Sequence, residues 1–233
     1  MIKITIYNEY VHEQEYEGIR KIYPQGIHGC LKTIFPEDQY KVRTATFEDK
    51  EHGLTDQLLD DTDVLLYWSH AKQEEFSDQV AQRIRNHVLG GMGFIGLHSA
   101  HFSKPMKLLL GTSMSLKWQN NHSEKLWCTC PTHPIANGLP EFFELEKEEM
   151  YGEFFDIPKP DDVIYTASFS GGQVFRAACT WTRGLGKIFY LQPGHEEYPN
   201  YYNENIRKLI KNAADWCYNP NHKNSPLDCI EVK

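Results

Sequence analysis

The sequence predicts an α/β protein whose parallel sheet carries helices on both faces. Through the first half of the chain, short β-branched runs alternate with helical patterns, the order that builds a parallel sheet. Residues 63–68 are almost continuously apolar, as in a strand buried on both faces. A length of 233 residues favours one large domain, which we place at residues 1–218, with a tail at residues 219–233.

The first elements follow from local pattern. Residues 2–7 alternate apolar and polar side chains and form the first strand. Residues 26–35 are helical and stop before Pro36, because proline disfavours a helical conformation in the residue before it. Residues 41–47 form the second strand, and a short helix covers residues 54–60.

The elements after the buried strand complete the sheet. Ser77 caps a helix that places its apolar residues on one face, and residues 93–97 form the next strand. The second half of the chain is richer in strands, at residues 126–130, 163–169, 174–180 and 187–191. A closing helix covers residues 204–218.

Composition excludes several classes of function. Lys plus Arg number 24 and Asp plus Glu 32, a net charge of −8, so there is no basic footprint for nucleic acid or an anionic membrane. The apolar runs are far shorter than the roughly 20 residues of a membrane span. No signal peptide pattern is visible, and the six cysteines have no paired spacing. We therefore expect reduced thiols in a cytoplasmic protein.

Histidines dominate the predicted functional edge. Six of the 11 histidines fall in loops at the carboxyl ends of predicted strands, namely His12, His28, His70, His98, His101 and His195. Ligands of open parallel sheets bind beyond these strand ends. A single loop histidine is usually just a satisfied polar group, but the joint placement of six indicates a shared site.

The turn after residues 93–97 is the sharpest local feature. His98 occupies the position that a nucleophile takes on a strand-to-helix elbow, and imidazole suits a general base or a metal ligand. Ser99 beside it is an alternative nucleophile. The GxGxxG match at residues 91–96 runs into a strand instead of opening a helix, so we expect no nucleotide cofactor.

Two acidic segments supply candidate partners. Glu149 and Glu153 stand among apolar and aromatic neighbours, where carboxyl groups suit acid–base work or complete a metal site. Glu197 lies two residues after His195 and could orient its imidazole. The catalytic candidates are His98, Glu149, Glu153, His195 and Glu197.

The motifs also resemble a known family, the ThuA-like proteins of trehalose utilization, which are related to class I glutamine amidotransferases. The resembling segments are residues 7–13, 23–29, 51–56, 96–104, 133–136, 145–158 and 186–199. The resemblance implies a flavodoxin-like three-layer sandwich with a mostly parallel sheet. Its elbow would carry a cysteine, completed by a later His-x-Glu. Since His98 replaces that thiol, we do not expect a glutaminase.

The resemblance further implies disaccharide catabolism. We expect an enzyme, a lyase or hydrolase that acts on a 3-keto-glycoside or a related oxidised sugar. His98 or His195 would be the base and Glu149 or Glu153 the acid.

Zinc or another divalent metal, held by His28, His98 and His195, could assist this chemistry. The alternatives are a non-catalytic sugar-binding or regulatory module and a hydrolase that depends on Ser99. The expected partner is a small sugar, with no nucleic acid or membrane, and a homo-oligomer is left open.

Overall fold

A mixed sheet of nine strands forms the centre of the part of the chain that the structure describes. The computed structural model describes residues 1–221, 229 and 231, so most of the predicted tail at 219–233 lies outside it. The strands are β1 (Ile2–Asn8), β2 (Tyr40–Thr46), β3 (Val64–Trp68), β4 (Gly93–Leu97), β5 (Lys117–Cys128), β6 (Phe142–Gly152), β7 (Asp162–Phe169), β8 (Val174–Arg183) and β9 (Gly186–Leu191). Their order across the sheet is β2-β1-β3-β4-β9-β8-β7-β5-β6.

The sheet has a parallel half and an antiparallel half. Neighbours from β2 through β9 are parallel, whereas the pairings of β9 with β8, β8 with β7, β7 with β5 and β5 with β6 are antiparallel. The expectation of a mostly parallel sheet is therefore wrong for the second half. The physical reason is loop length, since β7, β8 and β9 are joined by tight turns that can only reverse the chain.

Seven helices accompany the sheet in the described residues. They are α1 (His12–Glu15), α2 (Glu17–Ile22), α3 (Gly26–Lys32), α4 (Asp56–Asp60), α5 (Asp78–Leu89), α6 (Lys104–Leu110) and α7 (Glu204–Cys217). α3 packs on β1 and β2, α7 packs on β4 and β9, and α5 contacts α4 and α6. The predicted cap of α5 is confirmed, because the Ser77 hydroxyl accepts a hydrogen bond from Val80 N.

Several elements escaped the sequence pattern. α1 and α2 were not predicted, whereas α6 is the helix expected after the elbow at His98, and β5 is longer than the predicted segment at residues 126–130. β6 lies where the sequence shows a dense run of acids, but its second half is buried. β3 and β4 are buried throughout, as their apolar composition predicts. None of the helices in the described part of the chain is long and apolar enough to span a lipid bilayer.

Candidate active site

A cleft of about 1120 Å³ opens where the parallel strands end. β1, β3, β4 and β9 stop side by side, since their last residues are paired across the sheet. The loops that leave these ends carry four imidazoles in sequence across the site, His12, His70, His195 and His98. Successive ring centroids are 4.9, 5.8 and 5.3 Å apart. The parallel half thus brings together side chains from four distant parts of the chain.

His98 is buried directly beneath the floor of the cleft. It adopts a left-handed backbone conformation at φ 50°, which turns the chain sharply after β4. Its Nδ1 lies 2.7 Å from the carbonyl oxygen of Gln192, so Nδ1–H donates there and Nε2 points into the site. The ring stacks on Tyr151 at 4.9 Å and is fully buried. His98 therefore acts on the cleft only through its neighbours.

Glu149 connects this floor to the cleft. Its Oε2 lies 3.1 Å from His98 Nε2, and the side chain lines the cleft although the residue is only 5% exposed. Burial disfavours the charge on His98, but the hydrogen bond and charge of Glu149, together with the charge of Glu148, raise the pKa of His98 to about 9. Burial likewise opposes ionisation of Glu149, yet contact with His98 holds its pKa below the usual value. The pair is an imidazolium and a carboxylate at neutral pH.

His195 faces this pair from the loop after β9. Its Nδ1 accepts a hydrogen bond from the backbone N–H of Glu197 at 3.2 Å, so the neutral ring carries its proton on Nε2. Burial and the nearby positive charge of His98 lower the pKa of His195. The side chain lines the cleft as a neutral imidazole with a donor N–H.

Glu148 holds the His195 loop in place. One carboxylate oxygen accepts the backbone N–H of Gly194 at 2.7 Å, and the other accepts that of His195 at 3.2 Å. Asn200 donates a further hydrogen bond at 2.9 Å. Gly194 has φ 136°, and a side chain there would collide with the Tyr201 ring. The loop therefore depends on a buried carboxylate below it and a glycine within it.

A second set of imidazoles surrounds Glu196. His12 Nδ1 lies 2.6 Å from Oε1 of this carboxylate, and His70 Nδ1 lies 3.0 Å from the same oxygen. Burial opposes the charge of Glu196, but contact with both imidazoles holds its pKa well below the usual range. Burial also opposes the charge of His12, but Glu196 raises the pKa of that ring. All three side chains line the cleft.

Two sequence-predicted residues lie away from these clusters. His28 packs its ring edge-on against Tyr10 and places Nδ1 3.0 Å from the Asn8 amide nitrogen. Glu153 makes two hydrogen bonds of 2.8 Å to the Arg176 guanidinium. Neither residue lines the cleft, so the structure does not bring His28 to the other predicted ligands or Glu153 to Glu149.

Two more predictions change role. Glu197 is exposed at the cleft rim, and it is its backbone N–H that contacts His195, whereas the adjacent Glu196 carries the buried carboxylate. The Ser99 hydroxyl donates to the Ser69 carbonyl oxygen at 2.7 Å. Its proton is thus directed at a backbone oxygen and away from any base, which weakens the idea of a serine nucleophile.

Sequence reasoning missed Glu148 and Glu196 as site residues. Glu148 lies in the acidic run that reads as solvated, and Glu196 sits beside the preferred Glu197. The sequence offers no signal for Glu148, because the alternation set by Phe143 and Leu145 continues to residues 147 and 149. Only the structure shows that β6 is buried without interruption from residue 148 to residue 152, so acids there must face partners and not water.

The fold and the cleft define an α/β protein with a histidine–glutamate site at the carboxyl edge of its parallel strands. Within that class the chain belongs to the ThuA family, whose model, described as trehalose utilisation, matches residues 3–217. The family resemblance drawn from the motifs is thereby confirmed. A search of curated proteins found no match.

Solved structures agree with the fold. A ThuA-like protein from Parabacteroides merdae superposes with a TM-score of 0.70 at 16% identity, covering 93% of this chain and 89% of the other. A ThuA-like protein from Bacteroides uniformis gives 0.66 at 16% identity, covering 93% and 91%. PurLQS from Thermotoga maritima, with an amidotransferase-like fold, gives 0.53 at 12% identity, covering 92% and 98%. At these identities the likeness establishes the fold alone.

Proposed function

We propose that this ThuA-family protein is an enzyme of disaccharide catabolism that eliminates the aglycone from a 3-keto-glycoside. The observation that carries the proposal is the position of Glu149, a buried carboxylate that lines the cleft and has a ring nitrogen of His195 within 4.8 Å. A base and an acid that both reach the same part of a substrate are what such an elimination needs. The family description, trehalose utilisation, supports a sugar substrate.

The walls of the cleft suit a sugar. Aromatic side chains line it, namely Tyr16, Phe102, Trp118, Tyr151 and Tyr198. Trp118 is 64% exposed, and Tyr16 and Phe102 are exposed as well, so flat apolar faces are available to a ligand. Pockets for small molecules combine such surfaces with a few fixed polar groups, and the cleft provides those groups at its floor.

The proposed reaction begins with proton removal. A ketone at C3 acidifies the C2–H bond, and the Glu149 carboxylate takes that proton while the bonding electrons form an enolate with its charge on the C3 oxygen. The enolate then expels the C1 substituent, and His195 Nε2–H protonates the departing oxygen. The products are a 1,2-unsaturated 3-keto sugar and a free alcohol. The proton held by Glu149 restores His195 through solvent.

These roles reverse the sequence-based assignment. Glu149 was expected to be the acid, but its lowered pKa makes it an ionised base at neutral pH. His195 was expected to be a base, but its acceptor nitrogen is occupied by the backbone of Glu197. His98 supports Glu149 from below and does not reach the substrate.

A metal-assisted form is a second candidate. His98, Glu149 and His195 place ligand atoms within 4.8 Å of one another, and two imidazoles with one carboxylate suit zinc or another divalent ion. A bound ion would stabilise the enolate oxygen. Glu149 fits as it stands, whereas His98 would first have to lose its Nε2 proton. His195 would need its ring proton moved from Nε2 to Nδ1, against the Glu197 N–H. The metal-free form is the better fit.

Fold detail, location and partners are proposed in the same way. We propose a flavodoxin-like three-layer arrangement, supported by the separate contact groups of α3 with β1 and β2 and of α5 with α4 and α6. The net charge of −8 supports a small sugar, and not nucleic acid or a membrane, as the partner. We also propose a cytoplasmic location, and a homo-oligomer is compatible with these features.

A 3-keto-disaccharide assay in deuterated water tests the proposal. The wild-type protein should release the monosaccharide aglycone with loss of the C2 proton, and reversible proton removal should exchange that proton for deuterium in the remaining substrate; NMR detects both. Glu149→Gln should slow release by about 100- to 10,000-fold, the usual contribution of a general base. Glu144→Gln, an exposed acid on the same strand, should leave the rate unchanged. Saturable binding without exchange would instead support a regulatory sugar-binding module.

A further inference from the structure

We propose that His12, His70 and Glu196 bind a divalent transition-metal ion at a site distinct from the set predicted from sequence. The three side chains place ligand atoms within 4.8 Å of one another. They come from the loops after β1, β3 and β9, so three separate segments of the fold supply one ligand each.

The composition of this set matches known metal chemistry. Two imidazoles and one carboxylate are the protein ligands of one class of catalytic zinc site, and they leave a fourth position open. His12 Nδ1 and His70 Nδ1 lie 2.6 and 3.0 Å from the same Glu196 oxygen. Ligand atoms about 2 Å from a tetrahedral ion stand roughly 3.4 Å apart, so these two contacts would lengthen by about 0.8 and 0.4 Å.

The buried carboxylate of Glu196 has imidazoles as its partners. Among the described residues six glutamates and no lysine or arginine are buried, and of these glutamates only Glu149 and Glu196 line the cleft. Burial raises the pKa of Glu124 well above the usual value, so that carboxyl group is uncharged. Buried carboxylates in proteins are paired with cations or bind metals. The backbone N–H groups of the His195 loop compensate Glu148, and His98 compensates Glu149. The partners of Glu196 are the imidazoles of His12 and His70, which would bind the same ion.

The scaffold holds the site in place. Both oxygens of buried Glu9 accept backbone N–H groups, from His70 at 2.9 Å and Ala71 at 2.8 Å, which fixes the loop after β3. Support of this kind raises metal affinity, because the ligand side chains are already held in place before the ion binds. The cluster around Glu149 differs, since there a backbone N–H occupies the Nδ1 atom of His195.

Metal analysis of the full chain, purified without an affinity tag, tests the proposal. Protein dialysed against zinc and then washed should retain at least one ion per chain. His12→Gln combined with His70→Gln should lose one ion per chain, and His12→Gln alone should weaken zinc binding at least 10-fold in competition with a chelator. Cobalt loading gives an independent readout, because a visible absorption band should disappear in the double variant.

Two matched variants make the outcome decisive. His122→Gln alters a histidine outside the cleft and should keep full stoichiometry, whereas Glu149→Gln should keep the ion at His12 and His70 while losing turnover. Full stoichiometry in the folded His12→Gln/His70→Gln variant, or no retained ion in the wild type, would overturn the proposal. Either result leaves the Glu149 chemistry untouched, because the sugar assay measures that chemistry separately.

Discussion

The site contains two clusters of the same composition whose side chains have different hydrogen-bond partners. In the first, Glu149 contacts one fully buried imidazole, His98, and a backbone N–H sets the tautomer of His195. In the second, Glu196 contacts two imidazoles at once, and both are partly open to the cleft. Each cluster has two histidines and one glutamate, so residue types alone cannot separate their roles.

The difference lies in what occupies the second nitrogen and the solvent side of each ring. An imidazole whose Nδ1 is committed to a backbone group has only one direction in which to act, which suits directed proton transfer. Two imidazoles that converge on one carboxylate share a single focus, which suits a bound cation. We therefore assign proton transfer to the first cluster and cation binding to the second.

After substitution of Glu149, removal of the proposed acid His195 should cause the largest loss of activity. His195→Ala should lower kcat for a 3-keto-disaccharide by about 100- to 10,000-fold, because the leaving alcohol then departs without a proton. Zinc stoichiometry should not change, since the ligands at Glu196 remain. Steady-state kinetics and metal analysis on the same preparation measure both quantities.

A change of substrate sharpens this prediction. An aryl 3-keto-glycoside has a leaving group that departs as a stable anion, so His195→Ala should cost far less with it than with the disaccharide. An equal loss for both substrates would contradict an acid role for His195 and point to a structural one. His122→Ala, outside the cleft, is the matched control.

The rim of the cleft should respond more weakly than the floor. Trp118→Ala removes a 64% exposed ring that lines the cleft and belongs to neither cluster. We expect KM to rise about 10-fold with little change in kcat, because the loss of one stacking surface removes roughly 1 to 1.5 kcal/mol of binding. A drop in kcat with unchanged KM would contradict a binding role. Trp127→Ala, an exposed tryptophan outside the cleft, is the control.

The sequence predicts the parallel half of the molecule better than the antiparallel half. β3 and β4 are short and wholly buried, so their composition identifies them directly. β6 mixes exposed acids with a buried end, and local composition cannot show which acids face inward. The ThuA family and the mixed α/β fold were within reach of the sequence, whereas the finer sheet topology depends on pairings between hairpins.

The site residues also fall into those that the sequence predicts and those that it does not. Topology places His98 and His195 at one strand edge, and they do lie 5.3 Å apart. The choice between Glu196 and Glu197 depends on which of two adjacent side chains turns inward, and the sequence does not encode that locally. Glu153 illustrates the opposite error, since Arg176 on β8 neutralises a carboxylate that looks unpaired in sequence.

A substitution at His101 should give the smallest effect of the variants considered. It tests whether His98 and His101, three residues apart, have pKa values shifted in opposite directions. Burial and the positive charge of His98 lower the pKa of His101 to about 3, although its hydrogen bond to the Met114 carbonyl opposes the shift. An unfolded histidine has a pKa near 6.5. Between these values the unfolded chain binds a proton that the folded chain excludes, so His101 makes stability fall as pH decreases below about 6.5.

Urea unfolding at several pH values between 7 and 4.5 measures this contribution. His101→Gln keeps a side-chain donor for Met114 but cannot titrate, so the free energy of unfolding should depend less steeply on pH, by up to about 1.4 kcal/mol per pH unit. His133→Gln, a histidine outside the cleft, provides a comparison at a site that contacts neither cluster. Parallel pH profiles for the wild type and His101→Gln would mean that His101 keeps an ordinary pKa in the folded protein. Because burial is the main cause of the lowered pKa and the positive charge of His98 adds to it, such a result would contradict the buried environment that His101 shares with the first cluster.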